Sequence, residues 1–339
     1  MEEKKQNPLP IPFPDDMDDY KAKWIFLLWL LLRARNYKQI HEKWDSFAQE
    51  IQGRNRFFPK SEILDIINTY QKNFEFTVPE STLLYRARET TWDKTSIYKL
   101  MEKSFNLSSK KEGNSWLDAL SEAVWEDAVA ISYLFNHEVV TDFEKHLNTM
   151  LESNYPFLGL AQKDCDAPPA EHASAARANP EGIAYLYAAE SIDTAIMEVR
   201  PSLKSFVNIA EVETTRPLRL FNLCDTPQVN SKKPSATELA FEFEFLSKEF
   251  SKLSKNKKED YLPTQCICEF LKANGFDGIR YQSSLCKSGA NIALFDVSRD
   301  SRGYKIKSSQ LVVIQEATLG YSAFDLSETQ HLINIYELI

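Results

Sequence analysis

Glycine is scarce in this chain, nine in 339 residues, and no two or three of them form G-x-G-x-x-G or a G-K-[ST] loop. Both motifs need glycine so that backbone amides can close on phosphate, so neither a Rossmann turn nor a P-loop is available. Histidine is as thin, five residues and all dispersed; H-E-x-x-H and mixed His/Cys clusters are missing. No metal site is therefore expected. G-x-S-x-G is also missing, which leaves a hydrolase nucleophile elbow without support. The cysteines are Cys165, Cys224, Cys266, Cys268 and Cys286. An odd, scattered set fits a reducing compartment and buried thiols better than a disulfide framework. Basic charge is lacking too. Against 49 Asp and Glu stand 40 Lys and Arg, a formal net charge of -9, so the footprint of sequence-independent nucleic-acid binding is absent. A few converging arginines can still bind a small anion on an acidic protein. The longest apolar run, Trp24 to Leu32, has nine residues, whereas a bilayer span takes about 20. Acidic Asp15, Asp16, Asp18 and Asp19 precede that run, unlike a secretion signal. The expectation is a cytoplasmic protein with no membrane and no nucleic-acid partner.

What the chain does contain is ample core material, 43% hydrophobic and 12% aromatic, over a length that predicts two domains or one with an elaborate flank. Residues 17 to 52 read as a helix, with Tyr37, Ile40, Trp44, Phe47 and Ile51 at alternating steps of three and four, and Gly53 as its stop. A second helix is predicted from Ser61, with Ile63, Ile67, Tyr70 and Phe74 inward. These give an α-helical N-terminal region, 1–76, before a second domain, 77–339. In that domain strands are predicted at 82–88, 206–212, 218–223, 278–284, 291–296 and 311–315. Helices are predicted at 115–135, 142–151, 236–253 and 263–273. Strands and helices mix without strict alternation, so the fold class expected is α+β with a mixed sheet.

The chemistry concentrates in Arg177-Ala-Asn-Pro-Glu-Gly-Ile-Ala-Tyr-Leu-Tyr187-Ala-Ala-Glu-Ser191, continuing to Glu198 and Arg200. It reads as a polar turn, a short buried strand, and a helix entered through Ser191. A turn arginine suits phosphate, a tyrosine suits a flat ring, and a glutamate suits a ribose or a developing cation. Plain readings exist for each. Glu198 could be a solvated helix residue, although Ile196, Met197 and Val199 argue for a half-buried setting. Arg86, Arg88 and Arg177 could be surface ion-pair partners, Tyr187 plain core, and Ser283 an ordinary turn serine.

Three segments in order resemble the RES domain, a family named for its Arg, Glu and Ser whose members break down NAD. They are Leu84-Tyr-Arg86-Ala-Arg88; Arg177 to Val199; and Gly275-Phe-Asp-Gly-Ile-Arg-Tyr-Gln-Ser283, followed after seven residues by Asn291-Ile-Ala-Leu-Phe. The resemblance extends over roughly residues 80 to 300. It implies a core like that of ADP-ribosyltransferases and cleavage of the nicotinamide–ribose bond of NAD, in some members by inorganic phosphate as co-substrate, in a toxin-like setting. It also implies roles: Arg86, Glu198 and Ser283 catalytic; Arg177, Tyr187, Asn291 and Arg88 substrate-binding; no cofactor besides NAD as substrate. Water (an NAD glycohydrolase) and a protein (an ADP-ribosyltransferase) are the other acceptors that an arginine-rich pocket could serve. A non-catalytic nucleotide sensor is a further reading. The chain departs from compact members by some sixty residues inserted between Arg200 and Tyr261, and by Ala176 where glycine is usual before the turn arginine.

Two N-terminal features stand apart. Arg35-Asn36 and His41 fit the RNxxxxH pattern of HEPN ribonucleases, but residues six apart do not share a helix face. Trp24, Phe26, Leu27, Trp29 and Leu30 surround their helix, so this region is the candidate surface for an inhibitory antitoxin or for self-association, unless the second domain covers it.

Overall fold

The computed structural model describes residues 19–90, 160–225, 235–252, 258–286 and 288–316. Helix α1, Asp19–Gly53, carries two different faces along its length. In its C-terminal half Ile40, Trp44, Phe47 and Ile51 are buried, as their spacing predicts; in its N-terminal half Trp24, Ile25, Leu28, Leu31 and Leu32 are exposed. Helix α2, Glu62–Tyr70, starts where Ser61 accepts a hydrogen bond from the Ile63 amide, and a 3-10 turn, Gln71–Phe74, leads into the first strand. The predicted helices at 115–135 and 142–151 lie outside the described residues.

Among the described residues, eight strands form one sheet in the order β1-β5-β6-β7-β3-β2-β4-β8. They are β1 Glu75–Val78, β2 Leu83–Thr90, β3 Leu186–Ala189, β4 Phe206–Thr214, β5 Leu218–Asn222, β6 Gly278–Gln282, β7 Ala290–Leu294 and β8 Tyr304–Val313. Only β5 and β6 run parallel; the other neighbours are antiparallel. The helices between strands are α3 Gln162–Cys165, α4 Ile192–Val199, α5 Ser235–Ser251 and α6 Leu262–Ala273. This is the α+β mixed-sheet architecture expected. One strand is much longer than predicted: β8 begins at Tyr304, not 311. Tyr304 and Ile306 point into the core while Lys305 and Lys307 are exposed, a period-2 pattern that the two lysines disguise. The sheet also begins one residue before the end of the predicted helical region, because β1 pairs with β5 from Glu75.

Each face of the sheet buries its own core. On one side α1, α2, α5 and α6 pack over Phe221, Ile279, Tyr281, Ala293 and Phe295. Phe245 of α5 is the knob that seats α1, meeting Tyr37, His41 and Trp44 with ring centroids 6.1, 4.7 and 5.6 Å away. His41 is thus a packing residue wedged between Tyr37 and Phe245, while Arg35 is exposed. The two form no joint site. The other face buries Leu84, Leu186, Ala210, Val212, Ile292 and Tyr304. Fully burying one such side chain contributes about 1.5–3 kcal/mol.

Candidate active site

Strands β2 and β3 are paired at a single position, Tyr85 opposite Ala189. Beyond it they part, and the gap opens a cavity of about 200 Å³ walled by Ala195, Glu198 and Val199 of α4. From the sheet come Tyr85, Arg86, Ala87, Tyr187, Ala188, Ala189, Tyr281 and Asn291. Of the seven residues singled out from sequence, Arg86, Tyr187, Glu198 and Asn291 line this cavity. Arg86 bridges the parted strands, donating from Nη1 to the Tyr187 carbonyl at 2.8 Å. Its Nε is buried without a hydrogen-bond partner, one of two such side-chain atoms among the described residues. Burial, and then repulsion from Arg88, pull its pKa down to about 10. At neutral pH it is therefore still a cation, with no carboxylate paired to it among the described residues.

Glu198 is placed by the start of its helix. Ser191 caps α4 by accepting from the Thr194 amide at 3.2 Å, and the helix ends at Arg200, whose φ of 50° breaks the repeat. Glu198 is exposed, not half-buried as its apolar neighbours suggested: Met197 also faces out, and Ala195 takes the inward position. Its carboxylate is nevertheless fixed. Ser283 Oγ donates to Oε1 at 2.7 Å and Asn291 Nδ2 donates to the same oxygen at 2.6 Å. Both bonds fall on one oxygen, and Oε2 accepts none among the described residues. Ser283 stands behind Glu198, its own hydroxyl also accepting from the Leu285 and Cys286 amides, each at 3.1 Å. Serine and asparagine thus fix the carboxylate from the sheet side.

Arg177 sits next to the cavity without lining it. Its guanidinium lies over the Tyr281 ring, 5.5 Å from the centroid, and donates to the Lys252 carbonyl at 2.7 Å. Its Nε is the second buried atom without a partner. The turn that carries it is held by Asn179, 3% exposed. Asn179 donates from Nδ2 to the carbonyls of Ser174, Pro180 and Ile183 at 3.0, 3.0 and 2.8 Å. Its Oδ1 accepts from the Tyr187 hydroxyl at 2.7 Å, and that hydroxyl accepts from the Ala178 amide at 3.1 Å. Burial holds the Tyr187 phenol well above its ordinary pKa. From α6, Thr264 and Gln265 donate to the carbonyls of Arg177, Ala176 and Asn179. Tyr187 thus presents its ring to the cavity while its hydroxyl anchors the arginine turn.

Arg88 is not brought to the cavity. Both ends of its fork donate to backbone carbonyls, Asp164 at 2.6 Å and Asp166 at 3.2 Å. Asp166 in turn takes Arg302 and, at 2.9 Å, the Tyr304 hydroxyl. Arg88 belongs to the clamp that fastens α3 over β8. Sequence reasoning passed over Tyr281 and Asn179, although both lie inside the segments quoted for their neighbours. A polar residue directly after a turn arginine and its alanine was the available signal for Asn179. Among the described residues there is no His, Cys, Asp and Glu group suited to a metal ion, and no helix long and apolar enough to cross a membrane.

No curated protein matches the chain. Among solved structures, one is titled "Crystal structure of the M.tuberculosis MbcT-MbcA toxin-antitoxin complex"; a chain of it is 10% identical and aligns over 74% of this chain and 92% of that one, with a TM-score of 0.33. The family model described as the RES domain matches residues 156–313. That stretch contains Arg177, Tyr187, Glu198, Ser283 and Asn291, and begins after β2 and Arg86. The similarity to the RES domain thus covers just under half of the chain.

Proposed function

We propose that this protein is an NAD-consuming enzyme that cleaves the nicotinamide–ribose bond, with inorganic phosphate as acceptor and nicotinamide and ADP-ribose 1″-phosphate as products. The observation that carries the reading is the Glu198 carboxylate. It is pinned by Ser283 and Asn291 on one oxygen, in the same small cavity as a buried arginine with no counter-ion among the described residues. A cavity of about 200 Å³ is below the ~300–1,000 Å³ of ordinary small-molecule sites, so it suits one end of a dinucleotide.

In the proposed reaction the glycosidic C–N bond breaks and its electron pair goes to the pyridinium nitrogen, so nicotinamide leaves neutral. Positive charge moves to the ribosyl carbon and ring oxygen. The fixed carboxylate of Glu198 stabilises that charge without having to reorganise, and its second oxygen orients the ribose hydroxyls. Arg86 and Arg177 bind phosphate oxygens, and the Tyr187 ring stacks on nicotinamide. A phosphate oxygen then forms the new bond to the anomeric carbon. The choice of phosphate rests on the family resemblance, because the arginines would serve water or a protein acceptor equally.

An enzyme of this kind would exhaust the NAD of its own cell. We therefore propose that a bound inhibitory partner or self-association restrains it, with the exposed apolar side chains of α1 as the candidate surface. The test of the function is product analysis. Purified protein with NAD and phosphate is expected to release nicotinamide and a mass corresponding to ADP-ribose 1″-phosphate. Free ADP-ribose would assign hydrolysis, and a labelled protein would assign transfer. NAD binding by calorimetry without turnover would identify a sensor, and no nicotinamide at any pH from a folded sample would refute the enzyme.

A further inference from the structure

Tyr281 lies on β6 directly across from Asn291 of β7, the residue that donates to Glu198. It is 5% exposed, and it lines the cavity beside Arg86, Tyr187 and Glu198. Its ring is fixed from two directions: Phe250 of α5 packs at 6.4 Å between centroids, and the Arg177 guanidinium lies over it at 5.5 Å. The hydroxyl is another matter. Among the described residues nothing hydrogen-bonds to it, whereas the hydroxyls of Tyr187 and Tyr304 are bonded to Asn179 and Asp166. Burial raises its pKa, with Arg177 opposing and Glu198 reinforcing the shift, so it is a neutral donor at physiological pH.

The hydroxyl is not one of the buried side-chain atoms that lack a partner among the described residues, so it keeps some contact with solvent although the residue is largely covered. The ring alone satisfies the packing against Phe250 and Arg177. The hydroxyl is therefore a polar group that phenylalanine at this position would lack, open to what enters the cavity.

We infer that Tyr281 is a substrate-contacting residue whose hydroxyl hydrogen-bonds to the ribose–phosphate part of the dinucleotide, between the Arg177 side and the Glu198 side of the site. The inference rests on the NAD reading above. It adds a polar contact that selects for an oxygen-bearing sugar–phosphate over an apolar ring of the same size, since a ligand without that oxygen leaves the hydroxyl unpaired.

The experiment uses the full chain. Glu198→Gln serves as a slow-turnover parent, and NAD affinity is measured by calorimetry with and without Tyr281→Phe, alongside melting temperatures. A single neutral hydrogen bond to a ligand corresponds to roughly a tenfold change in Kd. The expected result is a Kd about tenfold weaker, with a melting temperature equal to or above the parent's. A weakening of less than threefold overturns the inference, as does a fall in melting temperature, which would make the hydroxyl part of the fold. A parent that does not bind NAD, together with wild-type protein that releases no nicotinamide, would instead sink the NAD reading and this inference with it.

Discussion

Glu198→Gln separates chemistry from architecture more sharply than any other single change. The amide keeps an acceptor oxygen where Oε1 stands, so the bonds from Ser283 at 2.7 Å and Asn291 at 2.6 Å can both persist. What changes is charge. Hydrogen bonds to a charged group contribute about 1.5–3 kcal/mol and neutral ones about 0.5–1.5, so two bonds set a ceiling near ~3 kcal/mol on lost stability. The true loss is smaller, because the residue is exposed and its charge is screened by water. A melting temperature no more than about 5 °C lower is expected. For the reaction, the variant removes the one carboxylate that lines the cavity among the described residues. Removing a single preorganised electrostatic group costs about 2.7–4 kcal/mol at the transition state, or roughly 10²–10³ in kcat. The assay is nicotinamide release under saturating NAD, paired with thermal melting. A kcat within tenfold of wild type would refute the role given to the carboxylate. A large loss of melting temperature would show that the glutamate is a structural strut.

Other consequences follow from the same geometry. Arg86 is deprotonated through a pKa near 10, so NAD affinity is expected to stay level from pH 7 to about 9 and to fall above about 10. The sign is opposite for stability. The unfolded chain holds the Arg86 proton to higher pH than the folded one, so the cost of burying this cation is relieved as pH rises through about 10. Binding titrations across that range check the first statement, and an unchanged affinity at pH 11 would contradict it. Asn179→Ala strips four hydrogen bonds from the arginine turn; a loss of roughly 3 kcal/mol is expected, read as a lower denaturation midpoint together with a raised KM for NAD. Phe245→Ala removes the knob between α1 and α5 and is expected to cost about 3–5 kcal/mol, measured by chemical denaturation; a cost under about 1 kcal/mol would mean that α1 is not seated there.

The legibility of the chain follows the range of its interactions. Helix α1 was readable because Ile40, Trp44, Phe47 and Ile51 obey one period, and α2 because Ser61 caps it. Strand β8 was half missed because Lys305 and Lys307 sit on its solvent face. Within the site, Arg86, Tyr187, Glu198 and Asn291 were found through ordered segments and do converge on the cavity. That Arg88 lies outside the cavity was not legible, because its two carbonyl partners, Asp164 and Asp166, lie 76 and 78 residues away, and carbonyl acceptors leave no trace in a sequence. The exposure of Glu198 was misjudged for a related reason. Apolar neighbours in sequence mark a buried face only if that face meets something, and α4 turns Ala195 inward instead of Met197.

Helix α5, which lies between Arg200 and Tyr261 in the chain, touches both α1 and the candidate site. In the middle, Phe245 receives Tyr37, His41 and Trp44 of α1, and Glu242 receives Lys43 at 3.0 Å. At the carboxyl end three consecutive residues meet three residues of the site's back wall. Phe250 packs on Tyr281, Ser251 Oγ donates to the Gln282 carbonyl at 3.0 Å, and the Lys252 carbonyl accepts from Arg177 at 2.7 Å. One helix of 17 residues, nearly five turns, thus contacts α1 along its middle and the Arg177 guanidinium and Tyr281 ring at its carboxyl end. The hydrogen bonds around Asn179 hold the arginine turn from the other side. Arg177 is thus held between a turn fixed to α6 and a carbonyl carried by α5, and the relative position of those two helices sets where its free Nε points.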